Sequence, residues 1–482
     1  MNSTVDLSTT HGDDDTNTLY PESHTTIGST LVTHSKLYRM LLAKLPQNHD
    51  LPKDGDEKGD IMSLASKEQQ ETDEIVEDPY RWVIIFAGFL AQAICIRVMQ
   101  DYYDRQVFRG TVDSTLLSFI GTIGFSFSGL LGPLSQMLTA AIGPRWVMFI
   151  GTVLTTIGMV LASFSVEVWQ LYLTQGVIYG VGSALINLVS MSVSPQWFER
   201  RRGLAMGIMF SGAGIGGLVT PFLMTALNEK LGVAWCYRIL AIINFVFSTL
   251  CTAMYKEKKD KKKMESEDVD STVGKKRSTR WKDMIDFSIC KEANFIILCL
   301  AINLSIMAYF VPAYFLPSHA TKLGLSPSQG SVLVAVFSAV GVAGRIMAGY
   351  FGDRLGVFNI YSLFLMACGL SSLFIWSFAT DFASLMVFIV IYGLMSGAVF
   401  ALMVPLTAAI TGMERYPSGI SLLLFSLTAA RLGPSMAGAI QSATDKNSFF
   451  AQQLFTGITC VLSAAVTFYL KFKLKRGLFV KV

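Results

Sequence analysis

Residues 383–405 read ASLMVFIVIYGLMSGAVFALMVP, a run of 23 residues without a charged side chain. A helix rises about 1.5 Å per residue, so about twenty residues cross the roughly 30 Å hydrocarbon core of a bilayer. Similar apolar blocks recur along the chain, in which 52% of the 482 residues are hydrophobic and only 15% are charged. Soluble domains carry about 25% charged residues. We therefore predict an all-α membrane protein.

The apolar blocks predict twelve transmembrane helices in two bundles of six. A lysine-rich segment at residues 256–292, which begins KEKKDKKK, separates the sixth block from the seventh. This segment divides the membrane region into an N-terminal bundle at residues 80–255 and a C-terminal bundle at residues 293–471. The predicted spans lie near residues 82–101, 114–138, 145–164, 168–193, 203–226, 236–255, 293–315, 330–352, 357–378, 383–405, 419–440 and 451–471.

The segments between the blocks differ in charge on the two sides of the predicted membrane. With the long N-terminal tail left out, 23 Lys and Arg residues lie on the side of both termini and six on the other. Because positively charged loops stay in the cytoplasm, both termini and the central loop at 256–292 are predicted to be cytoplasmic. Residues 1–79 are polar and predict a disordered cytoplasmic tail, and residues 472–482 a short one. No sorting signal chooses between the plasma membrane and the vacuolar membrane.

The composition argues against several other classes of protein. The seven cysteines are scattered without a CxxC pair or a metal-ligand spacing, which indicates small core hydrophobes. No G-x-x-x-x-G-K-[ST] sequence is present, so ATP is not expected to drive the protein directly. No catalytic triad, carboxylate pair or metal constellation can be assembled inside the predicted spans. We therefore predict no enzyme activity, no cofactor, no metal and no nucleic-acid partner.

The loop after the eighth predicted span reads GYFGDRLG at residues 349–356. This G-x-x-x-D-R-x-G pattern resembles the cytoplasmic loop signature of the major facilitator superfamily, where it recurs between the second and third spans of each six-helix half. The resemblance implies the major facilitator fold and a conformational latch at the cytoplasmic end. The residues that match this latch are Gly349, Asp353, Arg354 and Gly356.

The corresponding first-half loop departs from that signature. It runs from Gly132 to Arg145 and keeps the flanking glycines and a basic residue, but it contains no aspartate. The departure resembles the monocarboxylate porters of the same superfamily. It implies a weaker latch in this half, or one carried by Arg145 alone.

Further segments resemble the same porters. Residues 197–207 read WFERRRGLAMG, similar to the W/Y-F-x-x-R-R-x-L-A-x-G segment of the porters and of the related oxalate–formate exchangers. The stretches 211–221 and 431–434 also fit. The resemblance covers about residues 80–471 and is to the fungal branch of the porter family, which implies a monocarboxylate substrate.

Three departures argue against simple proton-coupled lactate transport. The stretch EDPYRW at residues 77–82 lacks the two inner glycines of the porters' first-span signature. Gly341 stands where animal porters carry an aspartate one turn before an arginine, here Arg345. Gln100 stands where they carry a lysine.

Three arginines lie more than three residues from either end of a predicted span: Arg431 near the midplane, Arg345 nearer the inner interface, and Arg97 towards the outer end of the first span. A charge at the membrane centre costs about 2.5–3.5 kcal/mol on insertion scales, so each is a functional candidate. Apart from Asp101 at the outer end of the first span, no Asp or Glu lies in a predicted span, and a guanidinium suits a carboxylate bidentately. The pattern therefore predicts an anion site. The structural alternative is bonding to backbone carbonyls, or for Arg97 outward snorkelling or pairing with Asp101.

Uncharged polar residues supply further candidates. Asn187 and Asn303 lie in spans that often line the transport path, and both are predicted substrate contacts. Interhelical hydrogen bonds, worth about 0.6 kcal/mol each, are the alternative. His319 is predicted to lie solvated in an outer loop.

These features predict a secondary transporter that works by alternating access around a midplane site. The predicted partners are a small organic anion, above all a monocarboxylate, protons as a candidate coupling ion, and membrane lipids. A proton would travel on the substrate acid or use Asp101. The alternatives are a vitamin or other organic solute, or a non-transporting nutrient receptor, which the short cytoplasmic segments disfavour. The sequence does not indicate an oligomeric state.

Overall fold

A computed structural model describes residues 79–94, 114–165, 167–256, 285–444 and 448–474. Nearly all of the predicted N-terminal tail, most of the central loop and the last residues of the chain lie outside these ranges. Arg97, Gln100 and Asp101 lie outside them as well. The ordered elements within the described ranges are helices, as the apolar blocks predict.

The N-terminal half contains seven helical segments, two of which form one bent pair. The break at Leu131 bends α2 against α3 by 52°, and Pro133 lies in the first turn of α3. A π-helical turn at Tyr172–Ile178 interrupts α5. The helices are α1 Tyr80–Ile94, α2 Ser114–Leu130, α3 Gly132–Ile142, α4 Pro144–Ala162, α5 Val168–Trp197, α6 Arg202–Leu231 and α7 Val233–Met254.

The C-terminal half repeats this organisation after a short 3-10 segment at Phe287–Lys291. Ser326 caps α10 by accepting a hydrogen bond from the Gln329 backbone N–H, and Asp381 does the same for α12 from Ser384. The helices are α8 Ala293–Tyr309, α9 Val311–Lys322, α10 Pro327–Leu355, α11 Val357–Trp376, α12 Phe382–Ser396, α13 Ala398–Ala430, α14 Gly433–Thr444 and α15 Phe450–Leu474.

In the described part of the chain, nine helices are long and apolar enough to cross a membrane, or ten with the bent pair counted as one span. One of the nine is the 63-residue stretch Phe382–Thr444, which at 1.5 Å per residue is about three times as long as a bilayer core is thick. Gly412 interrupts it with a non-helical backbone at φ 73° and ψ 162°. The segment predicted to link the spans at 383–405 and 419–440 is therefore helical on both sides of a sharp turn at Gly412. The total of twelve spans stays a prediction.

The two halves meet along two seams of small residues. In one seam, Gly203 of α6 faces Gly349 of α10 so closely that a Cβ at Gly203 would lie 2.7 Å from the Gly349 carbonyl oxygen. In the other, a Cβ at Gly132 would lie 2.6 Å from the Ser421 carbonyl oxygen of α13. Small residues allow such approach where lipid supplies no hydrophobic drive for helix association. The seams position the cavity described next.

Candidate functional site: a cavity between the two halves

A cavity of about 270 Å³ lies between the two halves. Helices α1, α2, α5 and α6 line one side, and α8, α10 and α13 line the other. Its lining is mostly apolar and aromatic, with four uncharged polar residues and two arginines, Arg345 and Arg431. No described carboxylate contributes to this lining. Two of the three predicted intramembrane arginines therefore share one cavity.

Arg345 is the more deeply buried of the two, with 7% of its surface exposed. Its Nη2 donates a hydrogen bond of 3.1 Å to the Tyr309 hydroxyl. Within the described ranges, neither Nε nor Nη1 has a hydrogen-bond acceptor. A buried donor without an acceptor costs about 1–3 kcal/mol, and more for a charged group, so the N–H groups on these two nitrogens favour an anionic ligand.

Gly341 explains why Arg345 lacks a protein carboxylate. A Cβ built at Gly341 would lie 3.8 Å from Arg345 Nη1, so an aspartate at that position would reach the guanidinium. Gly214 of α6 lies on another side of the same group, where a Cβ would come within 2.5 Å of Nη1. The absence of a side chain at Gly214 thus lets the guanidinium pack against α6, and Gly341 places no carboxylate beside it.

Arg431 lies between α13 and α14, where the helix is interrupted. Its Nη1 donates a hydrogen bond to the backbone carbonyl of Phe125 in α2, which belongs to the other half. This bond is the carbonyl contact that the sequence left open as an alternative. Arg431 therefore lines the cavity and also ties the two halves together.

The two predicted asparagine contacts differ in position. Asn187 lines the cavity, where its Oδ1 accepts a hydrogen bond of 2.8 Å from Gln92 Nε2. Asn303 is absent from the lining and instead donates to the Cys299 carbonyl (2.7 Å) and the Ser426 hydroxyl (3.0 Å). The structure thus favours the interhelical alternative for Asn303.

Replacing these asparagines singly is expected to separate the two roles. Asn303→Ala removes one interhelical bond, worth about 0.6 kcal/mol, and should lower thermal stability slightly while leaving substrate affinity within about twofold. Asn187→Ala should weaken affinity by roughly three- to tenfold, because it removes a polar cavity group and frees Gln92. Ligand titration of the purified variants measures both effects. Equal losses of affinity would contradict this assignment.

The predicted latch residues lie at the end of the bundle predicted to be cytoplasmic. Asp353 Oδ1 accepts from the Gly203 backbone N–H and Oδ2 from that of Leu204, both at 2.8 Å. These N–H groups open α6, so the carboxylate lies at the positive end of the helix dipole. One charged residue of the C-terminal half thereby caps a helix of the N-terminal half.

The other residues of the motif have different positions. Gly349 provides the close approach of α10 to α6, and Gly356 ends α10 at φ 95°, which favours glycine. Arg354 is exposed and its guanidinium lies 4.4 Å from the centre of the Tyr350 ring. The structure thus assigns the bond between the halves to Asp353 rather than to Arg354.

Arg145 is not brought to this junction. Its Nε donates to the backbone carbonyl of Tyr255, within the N-terminal half. Besides the hydrogen bonds of Asp353, a hydrogen bond from Tyr416 joins the halves. The buried hydroxyl of Tyr416 donates to the Met191 carbonyl at 2.6 Å. The sequence offered no signal for Tyr416, because the acceptor is a backbone atom distant in sequence.

The prediction for His319 was wrong. Helix α9 continues to Lys322, so His319 packs inside the C-terminal half with only 8% of its surface exposed. Its Nδ1 accepts a hydrogen bond of 3.1 Å from Trp376 Nε1, and its ring lies 4.8 Å from that of Phe449.

A family model described as the Major Facilitator Superfamily matches residues 81–298 and 296–477 of the chain. The chain belongs to the major facilitator superfamily. It is therefore a multi-pass membrane transporter and not an enzyme.

Several fungal members of the superfamily are similar over most of their length. The agnestins efflux protein AgnL12 of Paecilomyces divaricatus is 27% identical over 92% of this chain and 98% of its own. The MFS transporter asaE of Aspergillus flavus is 26% identical over 86% and 95%. The fujikurins efflux protein of Gibberella fujikuroi is 26% identical over 76% of each chain. None of these three names specifies a monocarboxylate, so the resemblance to that branch stays a prediction.

Proposed function

We propose that this transporter carries a small organic anion with a carboxylate group, which binds in the cavity between the two halves. The observation that supports the proposal is that Nε and Nη1 of Arg345 are buried without a described hydrogen-bond acceptor. Arg345 lines a cavity whose described lining contains no carboxylate. The guanidinium is a permanent cation, and a hydrogen bond from it to a carboxylate oxygen is charge-assisted and roughly twice as strong as a neutral one.

The expected gain in affinity is substantial. A hydrogen bond to a charged group contributes about 1.5–3 kcal/mol, or roughly ten- to a hundredfold in affinity. Arg345 is fixed by its bond to Tyr309 before any ligand arrives, so little ordering of the side chain opposes binding. An uncharged ligand of the same shape, such as the amide, could accept a hydrogen bond but would leave the positive charge of the guanidinium without a counter-charge.

Alternating access supplies the transport cycle. In the state that the structure describes, Asp353 and Tyr416 hold the halves together at the predicted cytoplasmic end. Opening at that end requires both contacts to break while the halves rock about the cavity. Two breaks in the helices, at Gly412 within α13 and at the bend between α2 and α3, belong to elements that would move with their halves.

We propose that the direction of net transport is outward, because two of the similar proteins are named as efflux proteins. The described cavity lining holds no carboxylate. A coupled proton would therefore cross the membrane on the substrate acid. A neutral metabolite is the second candidate substrate, which the apolar lining would suit and the unpaired arginine would not.

A panel of acids and their amides tests this proposal. Lactate, pyruvate, benzoate and 2-naphthoate are each compared with the matching amide for their effect on the melting temperature of the purified, full-length protein. A ligand that binds only the folded state raises that temperature. We expect at least one carboxylate, but not its amide, to raise it in a concentration-dependent manner. Equal shifts by acid and amide, or none from any acid, would contradict the proposal.

A further inference from the structure

Five aromatic rings line the cavity and form one connected cluster. The rings of Tyr309 and Phe400 have centroids 4.9 Å apart, as do those of Tyr309 and Phe310. Phe125 lies 5.6 Å from Phe310, and Phe210 lies 6.0 Å from Phe400. Because Phe125 and Phe210 belong to the N-terminal half, two of these contacts cross between the halves.

The rings have unequal exposure. Tyr309 and Phe210 are buried. Phe125, Phe310 and Phe400, which line the same cavity, are only half-buried. Tyr309 meets both Phe310 and Phe400 edge-on, with interplanar angles of 86° and 89°. Aromatic rings favour edge-to-face and offset contacts, so the half-buried rings suit a further ring.

The cation lies beside this cluster. Arg345 donates to the hydroxyl of Tyr309, so the guanidinium adjoins the edge of a ring that touches Phe310 and Phe400. Arg431 is bonded to the backbone of Phe125 at another part of the same cavity. The anion-binding group and the aromatic surface are therefore neighbours in one site.

We infer that the transported anion is an arylcarboxylate, an acid whose carboxylate is attached to a flat unsaturated ring system. The inference rests on the proposed function and names its substrate class. The carboxylate pairs with Arg345 and the ring lies among Phe125, Phe310 and Phe400. A three-carbon acid bound to Arg345 would leave most of the aromatic surface of a cavity of about 270 Å³ without contacts.

The aromatic contacts continue from Tyr309 through Phe337 to a group of rings in the C-terminal half that is purely structural. Trp376, Phe388 and Tyr392 are fully buried inside the C-terminal half, and none lines the cavity. Trp376 and Phe388 stack at 5.0 Å, within one rigid half. The cavity cluster differs because it crosses the boundary along which the halves must separate during transport. A substrate ring would replace the contacts between halves that this separation removes.

Matched pairs of acids test the substrate class. Benzoate and cyclohexanecarboxylate share the carboxylate and the number of carbons, but only benzoate has a flat π system; 2-naphthoate and decahydro-2-naphthoate form a larger pair. Dissociation constants are measured by calorimetry on the full-length protein. Aromatic pairs contribute about 0.5–1.5 kcal/mol beyond burial, so we expect the aromatic acid of at least one pair to bind roughly two- to tenfold more tightly.

Phe400→Leu provides the corresponding variant, since it keeps an apolar side chain and removes the ring at the centre of the cluster. It should reduce the preference for the aromatic acid over the saturated acid towards one. Phe337→Leu is the control, because Phe337 touches Tyr309 but does not line the cavity. It should keep the preference.

The possible outcomes distinguish the two proposals. Saturated acids that bind as tightly as the aromatic ones in both pairs would overturn the arylcarboxylate inference and leave the organic-anion function standing. A preference that survives in Phe400→Leu would also overturn it. Binding of none of the four acids by folded protein would overturn both.

Discussion

Gly349→Ala is expected to abolish transport while leaving the protein folded and able to bind its ligand. A Cβ at Gly349 would overlap the Gly203 carbonyl and lie 3.0 Å from the Leu204 Cα, all backbone atoms of the other half. Overpacking costs about 1–3 kcal/mol, and here the cost applies only when the halves meet at the predicted cytoplasmic end. The population of that closed state should therefore fall roughly five- to a hundredfold.

Distance measurement between spin labels at Glu199 and Leu355 reports this shift. Both positions are exposed and belong to different halves, and the labels require a background free of native cysteines. Gly349→Ala should lengthen the distance. Gly124→Ala is the control, because a Cβ there would meet its nearest described neighbour at an ordinary 3.6 Å. If Gly349→Ala keeps the wild-type label distance and the wild-type transport rate, the contact between Gly203 and Gly349 does not control closure at the predicted cytoplasmic end.

Arg345→Leu has the second large expected effect: loss of anion binding without loss of thermal stability. The substitution removes the two unpaired donors together with a buried charge, and a charge at membrane depth costs about 2.5–3.5 kcal/mol on insertion scales. Affinity for the carboxylate found in the panel should fall at least a hundredfold, because several charged hydrogen bonds are lost. The melting temperature of the ligand-free protein should stay equal or rise.

Gly341→Asp tests the same site without removing the arginine. The new carboxylate would reach Arg345 Nη1 and compete with the ligand, so affinity at neutral pH should fall at least tenfold. Gly341→Ala is its control, since a Cβ lies at an ordinary 3.8 Å from Nη1. Unchanged affinity in both Arg345→Leu and Gly341→Asp would place the anion elsewhere.

The sequence predicted those parts of the structure that depend on one residue and its own backbone. Apolar blocks predicted the helices, and the resemblance of residues 349–356 to a family motif drew attention to Gly349, Asp353 and Gly356 as candidate latch residues. The charge of Arg345 predicted a place in the cavity, because an intramembrane charge has few alternatives.

Features that depend on neighbours from distant segments could not be predicted in this way. Asn187 and Asn303 have the same side chain in similarly apolar spans, and only their partners across helices distinguish a cavity residue from a structural one. The surroundings of Arg145 and His319 likewise depend on partners distant in sequence. Arg145 donates a hydrogen bond to the Tyr255 carbonyl, and His319 accepts one from Trp376. The aromatic cluster gave no signal, because a span that is apolar on all sides does not show which face meets lipid, core or cavity.

Counterflow in proteoliposomes tests the central claim, that a carboxylate crosses the membrane by binding at Arg345. Liposomes loaded with the unlabelled acid that binds best are diluted into a trace of the same acid in labelled form, at pH 8 to suppress passage of the neutral acid through lipid. We expect transient accumulation of label with the wild type, inhibited by an excess of the acid but not of its amide, and no accumulation with Arg345→Leu. Accumulation that Arg345→Leu retains at the wild-type rate would contradict the account.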